Sequence, residues 1–331
     1  MGTGHGRTQR AQCPFLRHIS HSKEIPDERH EILVIGEAPI DIVATEQGKL
    51  AHAGGSPANM AFGLGGLGVE AGMLTALGDD EFGPMIQDHR GTANVELLPG
   101  CLNLTRTATA TAVLAADGSA RYEFDINRDF APCASDPMPK IVHAGSIATI
   151  LEPGASSVAS LLAQAKGRAL VSYDPNIRPA LVGEHDQALA TFKRTAALCE
   201  VVKLSDEDAH WLYPENSMAQ VATTILELGP QLVVLPRGGD GAELTTGTES
   251  IEIPAVASEV ADTIGAGDSF MSALIRGLLD LGTANLTTVQ LENLGRSAVA
   301  AGAIAVRRSG AMPPTLEELT ALRGEQEPAA Q

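Results

Sequence analysis

The segment EVADTIGAGDSFMSALIRGLLDLG, Glu259 to Gly282, sets a turn free of bulky side chains, Gly265-Ala266-Gly267, directly before a carboxylate, Asp268. Phe270, Leu274, Ile275 and Leu278 follow at helical spacing, so the turn opens a helix. A helix start aims unpaired backbone N–H groups and a positive dipole end at one point, which makes an anion site. An acid at that point opposes simple anion binding. It suits a general base, placed where a hydroxyl must attack a phosphoryl group held by the amides. Capping the helix is the other use for Asp268.

A second glycine-rich stretch, GGSPANMAFGLGGLG from Gly54 to Gly68, contains a G-x-G-x-x-G at Gly63, Gly65 and Gly68. With 34 glycines in 331 residues, chance matches to so short a pattern are common. A dinucleotide fingerprint must leave a strand and open a helix. These glycines instead fall at the far end of a helix begun by Ser56-Pro57, where they suit close packing and a stop at Gly68. The next acid at suitable distance, Asp88, sits in a helical pattern rather than at a strand end. A dehydrogenase is therefore the weaker reading. Gly54 and Gly55 matter more, because a missing side chain lets backbone approach a small ligand. No G-x-x-x-x-G-K-[ST] is present, which excludes a P-loop mechanism.

The elements that must position these residues alternate. EILVIGEAPIDIV, Glu31 to Val43, opens with a buried strand ending near Gly36, and a further strand covers 71–77 with a helix over 84–95. TRTATATAVLAADGSARYEFDI reads as a hairpin turning at Asp117-Gly118, with Tyr122, Phe124 and Ile126 on one face. Beyond it, strands such as KIVHAGSIA, ALVSYD, VVKLS and QLVVLPRGG alternate with helices. That order predicts a parallel α/β sheet covered on both faces, with the hairpin as an added flap.

Bulk properties narrow the partners. The net charge of −18, from 23 basic and 41 acidic residues, repels nucleic acid and anionic membranes. Cys13, Cys101, Cys133 and Cys199 are scattered, as reduced thiols in a cytoplasmic protein would be. Residues 1–29 lack the apolar core of a signal peptide and read as a disordered tail. No apolar run approaches the roughly 18 residues of a membrane-crossing helix.

Two long signatures, in this order, resemble the ribokinase-like (PfkB) carbohydrate kinases. One is Gly54-Gly55-Ser56-Pro57-Ala58-Asn59-Met60-Ala61 with Gly68 and Gly78; the other is Asp262-Thr263-Ile264-Gly265-Ala266-Gly267-Asp268 with Ser272. The resemblance extends from Glu31 to Leu322 and includes DPNIR (Asp174 to Arg178), VKLSDED and AIAVRRSGAMPPT. It implies a ribokinase-like α/β fold: a mostly parallel central sheet flanked by helices, with a small β lid from about 42–53 and 102–131. The kinase domain then spans 30–323, with 324–331 as a tail.

The same resemblance implies roles for residues. Asp268 is the base, and the amides of Gly265, Ala266, Gly267 and Asp268 hold the transferring γ-phosphoryl group. Asp41, Gly54, Gly55 and Asn59 contact the sugar, and Glu152 matches a sugar-contacting acid of some members. Arg237, Gly238 and Gly241 belong to a loop flanking the ATP phosphates, with Lys203 and Arg178 as phosphate neighbours. Asp208 organises Mg2+ through water, and Asp262 with the Ile264 carbonyl marks a site for a monovalent cation such as K+. The hairpin becomes a lid that excludes water and offers a homodimer contact.

Two departures stand out. The family's N-x-x-E element reads Ser205-Asp206-Glu207-Asp208, and Pro236 replaces a common Thr before the nucleotide loop. GEAPIDIV, DPNIR and the KLS element resemble the fructokinase-like branch, which implies D-fructose as acceptor. Ribose, 2-keto-3-deoxygluconate and a nucleoside are the alternatives, as is a degenerate, sugar-binding kinase.

Overall fold

The computed structural model describes residues 30–45, 48–114, 120–126 and 137–326. The predicted turn at Asp117-Gly118, both tails beyond these limits, and Cys13 and Cys133 lie outside them. No helix among the described residues is long and apolar enough to cross a membrane.

Nine strands form the main sheet. Seven are parallel: β1 (Ile32–Ile35), β4 (Ala71–Leu74), β6 (Val95–Leu97), β10 (Ile141–Gly145), β11 (Leu170–Asp174), β12 (Val201–Lys203) and β13 (Leu232–Pro236). Two antiparallel strands, β14 (Ala242–Thr246) and β15 (Ser250–Ile253), extend one edge. The order is β15-β14-β13-β12-β11-β10-β1-β4-β6.

Alternating side chains explain why this sheet is buried on both sides. Ile32 and Val34 face one apolar layer with α1 (Ser56–Gly66), α2 (Phe82–Gly91), α8 (Ala266–Leu281) and α9 (Thr288–Ala305). Leu33 and Ile35 face the other, with α3 (Gly154–Ala165), α5 (His185–Ala196), α6 (Asp206–Leu212) and α7 (Met218–Leu226). The short α4 (Pro179–Val182) follows the DPNIR loop, and α10 (Leu316–Gln326) ends the described chain. That helix runs beyond the boundary at 323 expected from sequence.

The flap is a separate four-stranded sheet, ordered β3-β2-β8-β9. Its strands are β2 (Ile40–Thr45), β3 (Gly48–Ala53), β8 (Thr109–Leu114) and β9 (Ala120–Asp125). The apolar run from Glu31 therefore serves two sheets, dividing at Gly36-Glu37-Ala38-Pro39. A Cβ on Gly36 would lie 2.2 Å from the Pro57 ring, so only glycine lets the start of α1 pack there. A small parallel pair, β5 (Leu77–Gly78) with β7 (Leu102–Leu104), forms a third sheet. The helix expected over 84–95 begins earlier, at Phe82, and ends at Gly91, leaving Val95 to β6.

Candidate active site

The strand order reverses direction beside β1: the chain places β4 and β6 on one side and β10 to β13 on the other. In such sheets the crevice at the carboxyl ends of the strands receives ligands. Glu37 follows β1 there and Ser146 follows β10, the latter in the left-handed region at φ 58°. The Glu37 carboxylate is buried and accepts from the Ala148 N–H at 3.3 Å. Burial pushes its pKa up, against hydrogen bonding from Ser146 and the field of Arg178.

Asp41 enters from the lid. It lies on β2 opposite His52 of β3. Burial raises its pKa to about 6, while His52 and Arg178 pull downward and Asp268 pushes upward. Gly54 makes this placement feasible: a Cβ there would sit 2.1 Å from Asp41 Oδ2. Gly55, at φ 90°, passes close to the Glu37 carbonyl, 2.8 Å from where a Cβ would stand. Arg178 is exposed, and its charge acts on both Glu37 and Asp41.

Asp268 stands in the first turn of α8, held from α1. Ser56 Oγ donates to Oδ1 at 2.7 Å, and Asn59 Nδ2 donates to Oδ2 at 2.9 Å. Burial raises its pKa; these two hydrogen bonds and Lys203 oppose the rise, and Asp174 adds to it. The carboxylate is thus oriented at both oxygens and more basic than an ordinary Asp. Gly265 caps α8 at φ 76°, and a Cβ on it would lie 2.8 Å from Ala311. The first i→i−4 bond of the helix runs from Ser269 N–H to the Gly265 carbonyl, so the amides of Gly267 and Asp268 precede the helical ladder. The Ala266 amide makes a long turn bond of 3.3 Å to Thr263.

Beneath this turn, Lys203 at the end of β12 pairs with Asp174 at the end of β11, Nζ to Oδ2, at 2.7 Å. Both are buried. Asp174, Asp208 and Asp268 together hold the Lys203 pKa up despite desolvation, so the ammonium stays charged. A Cβ on Gly267 would be 3.3 Å from Nζ, which puts that charge under the α8 amides. Asp208 accepts from the Ile177 N–H at 2.8 Å, joining the DPNIR loop to α6, whose cap is Ser205. Burial and Asp174 raise its pKa.

Asp174 Oδ1 is buried without a partner, and two carboxylates here face one ammonium. Such an excess of negative charge fits a divalent cation held through water beside a triphosphate. Among the described residues no group of three or more His, Cys, Asp or Glu side chains stands ready to bind a metal directly.

The other expected residues lie around this centre. Asp262 accepts from the Ile264 and Gly310 amides at 3.0 and 2.9 Å, which lower its pKa and tie the loop before α8 to the chain after α9. Ile264 is 57% exposed. Arg237 pairs with Glu252 at 3.2 Å, and the Gly238–Asp240 turn closes with an Arg237 N–H bond to the Gly241 carbonyl at 2.8 Å. Glu152 is exposed and accepts from Ser156 Oγ and N–H at the start of α3, outside the hydrogen-bonded cluster. Three members of the cluster were not singled out from sequence: Glu37, Ser56 and Asp174. Asp174 ends β11 and Glu37 stands two residues past β1, so an acid at the carboxyl end of a buried strand was the available signal for both. Ser56 read only as the start of a helix and as part of a family signature, with no role of its own.

The glycines at 63 and 65 prove to be packing positions. A Cβ on Gly63 would lie 2.4 Å from Ser272 Oγ of α8, and one on Gly65 would lie 1.9 Å from the Ala93 carbonyl. They face neighbouring structure, not a ligand crevice.

The pattern of the pfkB family carbohydrate kinases matches residues 29–319. Fructokinase-2 of Solanum habrochaites is 32% identical over 322 residues, covering 88% of this chain and 96% of its own. Among solved structures, a Xylella fastidiosa fructokinase with bound ATP superposes with a TM-score of 0.78 at 27% identity, covering 89% of this chain and 98% of that one. A variant fructokinase of Vibrio cholerae, in a form with fructose, ADP and potassium ion bound, gives a TM-score of 0.75 at 26% identity, covering 89% and 99%. The chain belongs to the pfkB family of carbohydrate kinases, phosphotransferases with an alcohol group as acceptor.

Proposed function

We propose that this kinase transfers the γ-phosphoryl group of ATP to a hydroxyl of D-fructose, with Asp268 as general base. The observation that carries the reading is the Asp268 carboxylate, held at both oxygens by Ser56 and Asn59 in the first turn of α8. The choice of fructose is supported by the fructokinases among the relatives.

Asp268 accepts the proton of the attacking hydroxyl, and its raised pKa favours that acceptance. The amides of Gly265, Gly267 and Asp268 face the charge that develops on the transferring group, each such donor being worth roughly 3 kcal/mol in a dry site. Lys203 adds a fixed positive charge beneath them. Asp41 and Asn59 hold the sugar with Glu37 beside them, Gly54 leaving room for the Asp41 carboxyl and Gly55 for the Glu37 carbonyl, while Arg178 serves as a phosphate neighbour. The lid strands exclude water that would otherwise accept the phosphoryl group.

Mg2+ arriving with ATP would neutralise charge on the triphosphate, and Asp174 and Asp208 would hold it through water. The Asp262 carboxylate and the Ile264 carbonyl would take K+, in keeping with the potassium ion of the Vibrio cholerae structure. Arg237, Gly238 and Gly241 would flank the phosphates. The lid strand β3 carries Leu50, 64% exposed, as the centre of a homodimer contact.

The test is coupled ADP release over a panel of D-fructose, D-ribose, 2-keto-3-deoxygluconate and a nucleoside. Fructose should give the highest kcat/KM. Turnover with another acceptor alone would replace it, and no turnover with any would leave a sugar-binding protein without kinase activity.

A further inference from the structure

Arg90 of α2 is among the largest fully buried side chains, with 1% of its surface exposed. No carboxylate opposes it among the described residues; desolvation is what acts on it, drawing its pKa down to about 9. Nη1 donates to the Ala58 carbonyl at 2.7 Å, and Nε has no partner. A buried cation without a counter-charge is unfavourable, and a Leu or Met would fill the space at less cost. This one also stands beside the first turn of α1, where the helix dipole is already positive. Stability does not account for it.

Its position does. The Ala58 carbonyl precedes Asn59, and the Met60 carbonyl follows it. The latter accepts from Ser272 Oγ of α8 at 3.0 Å, and the same hydroxyl reaches the Asp268 carbonyl at 2.7 Å. The carbonyls of Ala58 and Met60, the residues on either side of Asn59, are therefore each held by a side chain from a different helix, the single Ser272 proton being shared with the Asp268 carbonyl. Gly63 permits the close approach of α1 to α8 that the second grip needs.

We propose that Arg90 is a positioning residue for phosphoryl transfer: with Ser272 it clamps the first turns of α1, so that Ser56 and Asn59 hold the Asp268 carboxylate in one orientation. The proposal rests on Asp268 being the base. Lys203 from β12, Asp174 from β11 and Asp41 from β2 also act electrostatically on that part of the cleft. None of them bonds to Arg90, so a change at Arg90 must reach Asp268 through α1.

The experiment measures kcat against pH at saturating sugar and Mg·ATP, with thermal unfolding in parallel, for Arg90→Met, Arg90→Lys and Ser272→Ala. Arg90→Met should unfold at the wild-type temperature or above it, yet lose about tenfold in kcat through misplacement of the base. Its acid limb should move to higher pH, because loosened donors stabilise the carboxylate less. Arg90→Lys, which keeps the charge and one donor, should recover most of the rate and return the limb. Ser272→Ala should move the limb in the same direction, and less than additively with Arg90→Met. An Arg90→Met variant that folds too poorly to assay assigns Arg90 to stability and overturns the clamp as well. A limb that stays in place, a kcat within twofold of wild type, or a Lys variant no better than Met overturns the clamp. If wild-type kcat shows no acid limb at all, the base assignment fails instead.

Discussion

Replacing Gly54 by Ala should act on the sugar through Asp41. The added Cβ would stand 2.1 Å from Oδ2, 2.5 Å from Cγ and 2.9 Å from Oδ1 of Asp41, where ordinary contact begins at 3.4 Å. Asp41 is anchored on β2 against β3 and β8, so its backbone is held while the carboxyl swings away by roughly 1 Å or more. A displaced charged hydrogen bond to substrate costs about 1.5–3 kcal/mol, which is roughly 10- to 150-fold in kcat/KM for the sugar. The Michaelis constant for ATP should stay within about twofold, because the atoms nearest the added Cβ all belong to Asp41. A double-mutant cycle isolates the cause. In an Asp41→Ala background the Gly54→Ala change should lose most of its effect, since nothing is left to displace. If it costs as much with Asp41 absent as with Asp41 present, the argument that Gly54 exists to admit Asp41 is wrong.

Other expectations follow from the same geometry. Asp41 has its pKa raised from 3.8 to about 6, so kcat/KM for the sugar should fall as the pH drops through about 6, and Asp41→Asn should flatten that limb. The folded state binds the Asp41 proton more tightly than the unfolded chain between those values, so this group's contribution to stability should decline as the pH rises from about 4 to 6, as seen by thermal unfolding. Lys203→Met strands the buried Asp174 charge and should cost about 3–5 kcal/mol in denaturant unfolding, much of it recovered by adding Asp174→Asn. Gly65→Ala drives a Cβ to 1.9 Å from the Ala93 carbonyl and should destabilise by about 1–3 kcal/mol while leaving the kinetic constants of the folded fraction in place.

The alternation of strands and helices was legible because a parallel sheet buried on both faces demands continuous apolar runs, as in Ile32 to Ile35. The Gly265 turn was legible for a different reason: few residue types serve at φ 76° before a helix. What sequence did not show was the mutual grip between distant segments. Ser56 and Asn59 are 212 and 209 residues from the Asp268 they hold, and no local pattern carries that pairing. Lys203 read as a phosphate neighbour, but its buried pairing with Asp174 depends on two adjacent strand ends that only the sheet order brings together. Nothing in the sequence singled out Arg90. Its burial depends on how α2 packs against α1, which helical periodicity alone does not reveal.

The most direct measurement is turnover and sugar affinity of Asp268→Asn, side by side. The change removes the basic oxygen while keeping the size of the side chain between Ser56 and Asn59. In this variant kcat for ADP release should fall by about 10²–10⁴-fold, with the sugar dissociation constant changed only a few-fold. A variant that keeps kcat within about tenfold, or loses sugar binding in proportion to its rate, would contradict the assignment of Asp268 as the group that takes the proton.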